Sequence, residues 1–181
     1  MSNPKDDTLD FLAVTNSIDR QIEEMDATCR FIQAKHHRKN RLYLCFDEWN
    51  VRYKNLQMDG EGKVAPHLIE EVYNLEDALV IAGFFNSFIR HADAVKIANL
   101  AQIVNVIAPI LTRGDELLIQ STFYRFEMFS KRRKGTSLRL VNDGPTYSAH
   151  TNGEAKYVDA SAILEMNPSV IYSYLNTSMT L

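Results

Sequence analysis

The sequence predicts an α/β unit followed by an all-β unit. Helix-like and strand-like segments alternate through the first 135 residues, and the two strand-like runs there are continuously apolar. After Gly135 the chain breaks into short segments separated by turn residues. The composition is that of a globular protein: of 181 residues, 45% are hydrophobic and 24% charged, with 7 Gly and 5 Pro.

Ile18, Ile22, Met25, Cys29 and Ile32 recur at intervals of four, three, four and three, one stripe of a 3.6-residue period. A long amphipathic helix is therefore expected from Thr8 to about Lys35, with Asp19, Arg20, Glu23, Glu24 and Asp26 on its solvent face. The cations of His36-His37-Arg38-Lys39 and the following Asn40 suit its C-terminal end. Adjacent helical residues point about 100° apart, so the two histidines are not a metal pair. Leu42-Tyr43-Leu44-Cys45-Phe46 is an unbroken apolar run, expected as a strand covered on both faces, and it stops at Asp47-Glu48-Trp49-Asn50. Lys54 to Lys63 reads as a loop, and Pro66 opens a short helical piece through Tyr73.

Asn74-Leu75-Glu76-Asp77 has the form of a helix start, with Asn as N-cap and acids in the first turn. That helix carries Leu75, Leu79, Ala82, Phe85 and Ile89 and ends near His91. Val95 to Gln102 is a second buried strand, and Pro109 closes the loop behind it. A further helix is expected over Gln120 to Lys134, its basic Lys131-Arg132-Arg133-Lys134 end followed by Gly135 as a C-terminal cap. Beyond it, Ser137 to Val141, Tyr157 to Leu164 and Val170 to Leu175 read as antiparallel strands, with Asn152-Gly153 as a hairpin turn.

Charge and targeting signals narrow the function classes. Twenty Lys plus Arg against 23 Asp plus Glu leave a net charge of −3, so no overall positive field would gather nucleic acid or anionic lipid. No run approaches the roughly 18 apolar residues of a membrane helix. Met1 to Asp7 lacks the apolar core of a secretory signal, and Cys29 and Cys45 have no ligand-like spacing; a reduced, cytoplasmic setting is expected.

Functional groups of parallel α/β folds lie at the carboxyl ends of strands. Asp47 and Glu48 occupy that place after the first strand; Gln102, with Asn99 and Asn105 nearby, occupies it after the second. One reading of Asp47-Glu48-Trp49-Asn50 is a polar strand exit with a half-buried indole. The other is sugar chemistry, where a carboxylate is nucleophile or acid, a ring packs on the C–H face of a sugar and amides read hydroxyls.

The ordered blocks Phe46-Asp47-Glu48-Trp49-Asn50-Val51, Tyr73-Asn74-Leu75-Glu76-Asp77-Ala78-Leu79, His91-Ala92-Asp93, Val95-Lys96-Ile97-Ala98 and Leu100 to Ile110 resemble the α-L-arabinofuranosidases of glycoside hydrolase family 51. The resemblance implies a retaining exo-glycosidase with a (β/α)8 barrel followed by a β-sandwich. It assigns residues 1–135 to the last two strands and helices of the barrel and residues 136–181 to the start of a truncated sandwich. It implies that Glu48, at the end of barrel strand seven, is the nucleophile and that Gln102, at the end of strand eight, contacts the bound arabinofuranose. The implied ligands are arabinofuranosyl saccharides, and neither metal nor organic cofactor is called for. A homo-oligomer, or pairing with the missing N-terminal part, is the implied assembly.

Two departures stand against the pattern. Arg52 occupies a position where the family commonly has Trp. The acid/base partner is a Glu directly after an Asn at the end of strand four, and no Asn-Glu pair occurs in this chain. Retaining hydrolysis needs a second carboxyl group about 5–5.5 Å from the first. With 181 residues against the roughly 250 of a complete barrel, the chain reads as a C-terminal piece whose isolated activity is doubtful. A non-catalytic carbohydrate-binding or regulatory fragment, and a degenerate gene product, are the alternatives.

Overall fold

A computed structural model describes residues 7–52, 64, 69–131, 134–165 and 171–177. Two helices, α1 (Thr8–Leu12) and α2 (Thr15–Lys35), stand where the periodicity predicts one. The break falls where β-branched Val14 and Thr15 adjoin and where the Thr15 and Ser17 hydroxyls donate back to the carbonyls of Leu12 and Val14, at 3.4 and 2.6 Å. The apolar stripe is packed only at its start. Ile18 and Ile22 are buried, whereas Met25 and Ile32 are 43% and 41% exposed.

Strands β1 (Leu44–Trp49) and β2 (Val95–Leu100) run parallel and are joined through helix α3 (Leu75–Arg90). The start of α3 is as expected and is a full capping box. The Asn74 side chain accepts the Asp77 N–H at 3.2 Å, and the Asp77 carboxylate accepts the Asn74 N–H at 2.8 Å. The expectation of a strand covered on both faces is corrected: Leu44, Phe46 and Trp49 face α3, while Cys45 is exposed and Leu42 and Tyr43 lie outside the strand at 57% and 53% exposure. A two-stranded sheet with helices on one side leaves its other face open among the described residues. The short helical piece also fails, since residues 69–74 are not helical. Pro66 and the loop Lys54 to Lys63 lie outside the described residues.

A hairpin of β3 (Ile110–Arg113) and β4 (Glu116–Ile119) follows β2. Its two-residue turn is Gly114-Asp115, with Gly114 at φ +59°, as a II′ turn requires. Helix α4 (Ser121–Ser130) is shorter than the sequence suggests and ends with Lys131 as its cap, so the basic run follows the last turn instead of filling it. Arg132 and Arg133 lie outside the described residues. Gly135 is not the helix cap. It adopts φ +151° against the next sheet, where a Cβ would stand 2.2 Å from the Leu164 carbonyl oxygen.

The C-terminal part holds β5 (Thr136–Leu138), β6 (Thr146–Ala149), β7 (Gly153–Lys156), β8 (Val158–Leu164) and β9 (Ile171–Thr177). An antiparallel sheet has the order β5-β8-β9, and β6-β7 is a separate hairpin. A hairpin stands where Asn152-Gly153 signals one, but its loop is residues 150–152, and Gly153, at φ +76°, opens β7 opposite Ala149. The N-terminal helices clasp it: the Asp10 carboxylate accepts the N–H groups of Thr151 and Asn152 at 2.5 and 3.2 Å.

Helix α3 packs on β1 with one face and on β8 with another. Asn86 donates to Asp159 at 2.9 Å and accepts from the Ser161 hydroxyl at 2.7 Å. Arg90 bridges Asp19 of α2 and Asp159 of β8 at 2.8 and 2.5 Å, and His91 meets Asp19 at 3.1 Å. Asp19 thus belongs to an interior network, not to the solvent face assigned from periodicity. Burial pushes its carboxyl up, but hydrogen bonds and charge from His91 and Arg90 outweigh this and hold it below the ordinary value of 3.8. The hydrogen bond to Asp19 raises His91 above its ordinary 6.5, against the effect of burial.

These shifts set a pH window for stability. The Asp19 contribution is present above 3.8 and is lost as pH falls through its lower folded value. The His91 contribution is complete below 6.5 and is lost as pH rises through its raised folded value. The urea midpoint should therefore be flat between these limits and decline on both sides. His91→Gln should flatten the alkaline decline and, because His91 also helps to hold the Asp19 carboxyl down, shrink the acidic one; an unchanged alkaline limb would assign it to another group.

Candidate active site

The register of β1 and β2 builds the site. Phe46 pairs with Ala98 and Trp49 with Leu100, so Asp47 and Glu48 together oppose Asn99, a β-bulge. Without the extra residue, strict alternation from Leu44 and Phe46 would turn Glu48 toward α3 and Trp49 away from it. The bulge reverses both. Glu48 is exposed at φ +55°, a left-handed conformation that a non-glycine residue adopts at a cost, and Trp49 is buried. Among the described residues no hydrogen bond or ion pair engages the Glu48 carboxylate. Its neighbour is committed: Asp47 accepts from the Asn99 amide in a close contact and from the Cys45 thiol at 3.4 Å.

Gln102 lies just beyond β2, exposed, at the carboxyl end of the strand that neighbours that of Glu48. The Ala101–Gln102 peptide is cis. The segment 101–107 is tied to β1 and to the hairpin. Ala101 N–H donates to Trp49 O at 3.3 Å, and Asn50 Nδ2 donates to the carbonyls of Ala101 and Ile107 at 2.8 and 2.5 Å. Asn105, at φ +64°, accepts the Thr112 N–H at 2.7 Å through its side-chain oxygen. Below this layer the buried Gln120 amide donates to Glu71 O and Ala108 O at 3.0 and 2.6 Å and accepts the Tyr73 N–H at 2.8 Å. The rim is thus held by the amide side chains of Asn50, Asn105 and Gln120, a role that the sequence alone does not disclose. Gln120 could be seen only as a helix start.

Two sequence expectations change here. Trp49 is no sugar platform, because its indole is 4% exposed and packed among Phe84, Phe85, Phe88 and Phe126. Cys45 is exposed, not buried, yet desolvation and the Asp47 carboxylate push its thiol up, which disfavours the nucleophilic thiolate.

Elsewhere, a cleft of about 260 Å³ lies between α2, α3 and the β unit, lined by Asn16, Asp19, Arg90, Asn142, Tyr147 and Lys156. These groups bond to one another and to nearby carbonyls, which makes the cleft part of the interior network. Among the described residues no group of three or more His, Cys, Asp or Glu could hold a metal ion, and no helix is long and apolar enough to cross a membrane.

Comparison with known proteins gives a family. The profile of the α-L-arabinofuranosidase C-terminal domain matches residues 47–180, well over half of the chain. The chain belongs to that family. It is 38% identical over 169 residues to an intracellular exo-α-(1→5)-L-arabinofuranosidase of Acetivibrio thermocellus, covering 89% of this chain and 34% of the relative. It is likewise 38% identical over 183 residues to the enzyme of the same name from Streptomyces lividans, covering 98% of this chain and 28% of the relative. Among solved structures, a family 51 α-L-arabinofuranosidase from Bifidobacterium longum superposes with a TM-score of 0.80 at 28% identity, over 86% of this chain and 32% of that one. The chain spans about a third of the length of the relatives it matches.

Proposed function

We propose that this chain is the C-terminal portion of a retaining exo-α-L-arabinofuranosidase that removes terminal arabinofuranose from arabinose-containing saccharides. On this reading residues 1–135 supply the last two strands and helices of a (β/α)8 barrel, and residues 136–181 begin a β-sandwich. Glu48 attacks the anomeric carbon and forms a covalent arabinosyl-enzyme that water then hydrolyses, while Gln102 holds the sugar. The observation that carries the reading is the pair of strand ends. A bulge aims a carboxylate with no partner among the described residues outward at the end of β1, and an exposed amide follows the neighbouring parallel strand. Further support comes from the β1-β2 sheet, whose second face and outer edges are open among the described residues and which polypeptide homologous to the rest of the relatives' length would cover.

The carboxylic acid that protonates the leaving group belongs, on this reading, to that other polypeptide. The chain alone should therefore not hydrolyse 4-nitrophenyl α-L-arabinofuranoside. A chimaera in which residues 1–181 replace the matching stretch of the Acetivibrio thermocellus relative should hydrolyse it. Turnover by the isolated chain overturns the shared site, and a folded but inactive chimaera overturns the glycosidase reading.

A further inference from the structure

We propose that Asn50 is a positioning residue that sets the location of Gln102 without touching the sugar. The proposal rests on the glycosidase reading and adds to it the element that couples the two strand ends. Asn50 sits two residues after Glu48, and its single amide group serves both sides of the gap. Nδ2 donates to Ala101 O at 2.8 Å and to Ile107 O at 2.5 Å, while Oδ1 accepts the N–H of Val51 at 2.8 Å. Ala101 is the residue before Gln102, so one of the two donated bonds holds the peptide from which Gln102 begins.

The other bond holds the far end of the same segment. Between the two carbonyls the chain reverses through Asn105 and Ile107, both at positive φ, +64° and +41°. Such a conformation persists only where its surroundings over-determine it. Among the described residues, Ala101 N–H donates to Trp49 O, Thr112 N–H to Asn105 Oδ1, Ile107 N–H to Ile69 O at 2.9 Å and Asn105 N–H to Ile110 O at 2.9 Å, and Asn50 alone spans both ends. An amide is suited to this task because it offers two N–H donors to two carbonyls and one oxygen to its own strand. A carboxylate would set oxygen against oxygen, and an alkyl side chain would leave both carbonyls without that donor.

Asn50 acts on Gln102 and not on Glu48, because its bonds run to segment 101–107 while Glu48 is held out by the bulge. That difference is testable in the chimaera by the split between KM and kcat. Asn50→Asp should reproduce the split of Gln102→Ala at about a tenfold loss of kcat/KM. The double variant Asn50→Asp/Gln102→Ala should be no worse than Gln102→Ala alone. In the 181-residue chain, Asn50→Asp should accelerate hydrogen exchange at Asn105, Val106 and Ile107 and leave β1 and β2 protected. If Asn50→Asp does not fold, Asn50→Ser, which retains one donor, carries the same comparisons at smaller amplitude.

Additive losses in the double variant, or a kcat defect unlike that of Gln102→Ala, overturn the proposal. So does unchanged exchange in segment 101–107. A wild-type chimaera that folds but lacks turnover counts against the glycosidase reading instead, and the exchange measurement still decides whether Asn50 holds the segment.

Discussion

Glu48→Ala in the chimaera should lower turnover of 4-nitrophenyl α-L-arabinofuranoside on the order of 10⁵-fold, the scale at which removal of an attacking nucleophile is felt. The unfolding midpoint should barely move, because the Glu48 side chain is exposed and no bond among the described residues depends on it. Two further measurements distinguish a nucleophile from a merely nearby acid. Azide, small enough to enter the space vacated by the carboxylate, should restore turnover and give an arabinosyl azide of inverted configuration, since a single displacement inverts where the double displacement retains. Glu48→Gly should be inactive yet more stable than the parent by about 1 kcal/mol, because glycine adopts φ +55° without the strain that Glu48 carries. If activity survives Glu48→Ala within tenfold, another group attacks the sugar. If Glu48→Gly is destabilised, the left-handed conformation is not a cost borne for function.

How much of this was legible in the chain depends on the range of each interaction. The start of α3 was legible because a capping box needs only Asn74 and Asp77, three residues apart. The place of the β6-β7 hairpin is legible for the same reason, though its loop lies one residue earlier than Asn152-Gly153 suggests. The placement of β1 and β2 was legible from apolar runs, but the faces were not, because the bulge at Asp47-Glu48 is a property of register with β2 and leaves no mark in either strand's sequence. The place of Asp19 is not legible because its partners, Arg90 and His91, stand at the end of α3, far along the chain. The Asn50 and Gln120 clamps reach carbonyls, which carry no residue identity at all. The β3-β4 hairpin is a different case: Gly114-Asp115 between two apolar runs is a local signal of a two-residue turn.

The bulge has a second consequence at Trp49, where the largest loss of stability is expected. Trp49 is the hub of an aromatic cluster that joins β1 to α3 and α4. Its ring lies 5.0 to 5.9 Å from those of Phe84, Phe85, Phe88 and Phe126, edge-on to the first three and stacked on the last. Trp49→Ala removes this centre and should cost about 3–5 kcal/mol, a large share of the roughly 5–15 kcal/mol that holds a domain together. Trp49→Phe should cost much less, about 1–2 kcal/mol, because the aromatic packing is largely kept. The buried Nε1–H also has no hydrogen-bond partner among the described residues, so its removal forfeits no such bond. Urea unfolding followed by circular dichroism measures both variants. Because Trp49 is the chain's single tryptophan, its native emission should be blue-shifted and poorly quenched by iodide. The sugar-platform reading makes the opposite set of predictions: an accessible indole, small effects on stability, and a raised KM for Trp49→Phe in the chimaera. A buried indole with unchanged KM leaves recognition of the sugar to the exposed groups at the strand ends, and makes Trp49 the anchor from which the bulge sends Glu48 outward.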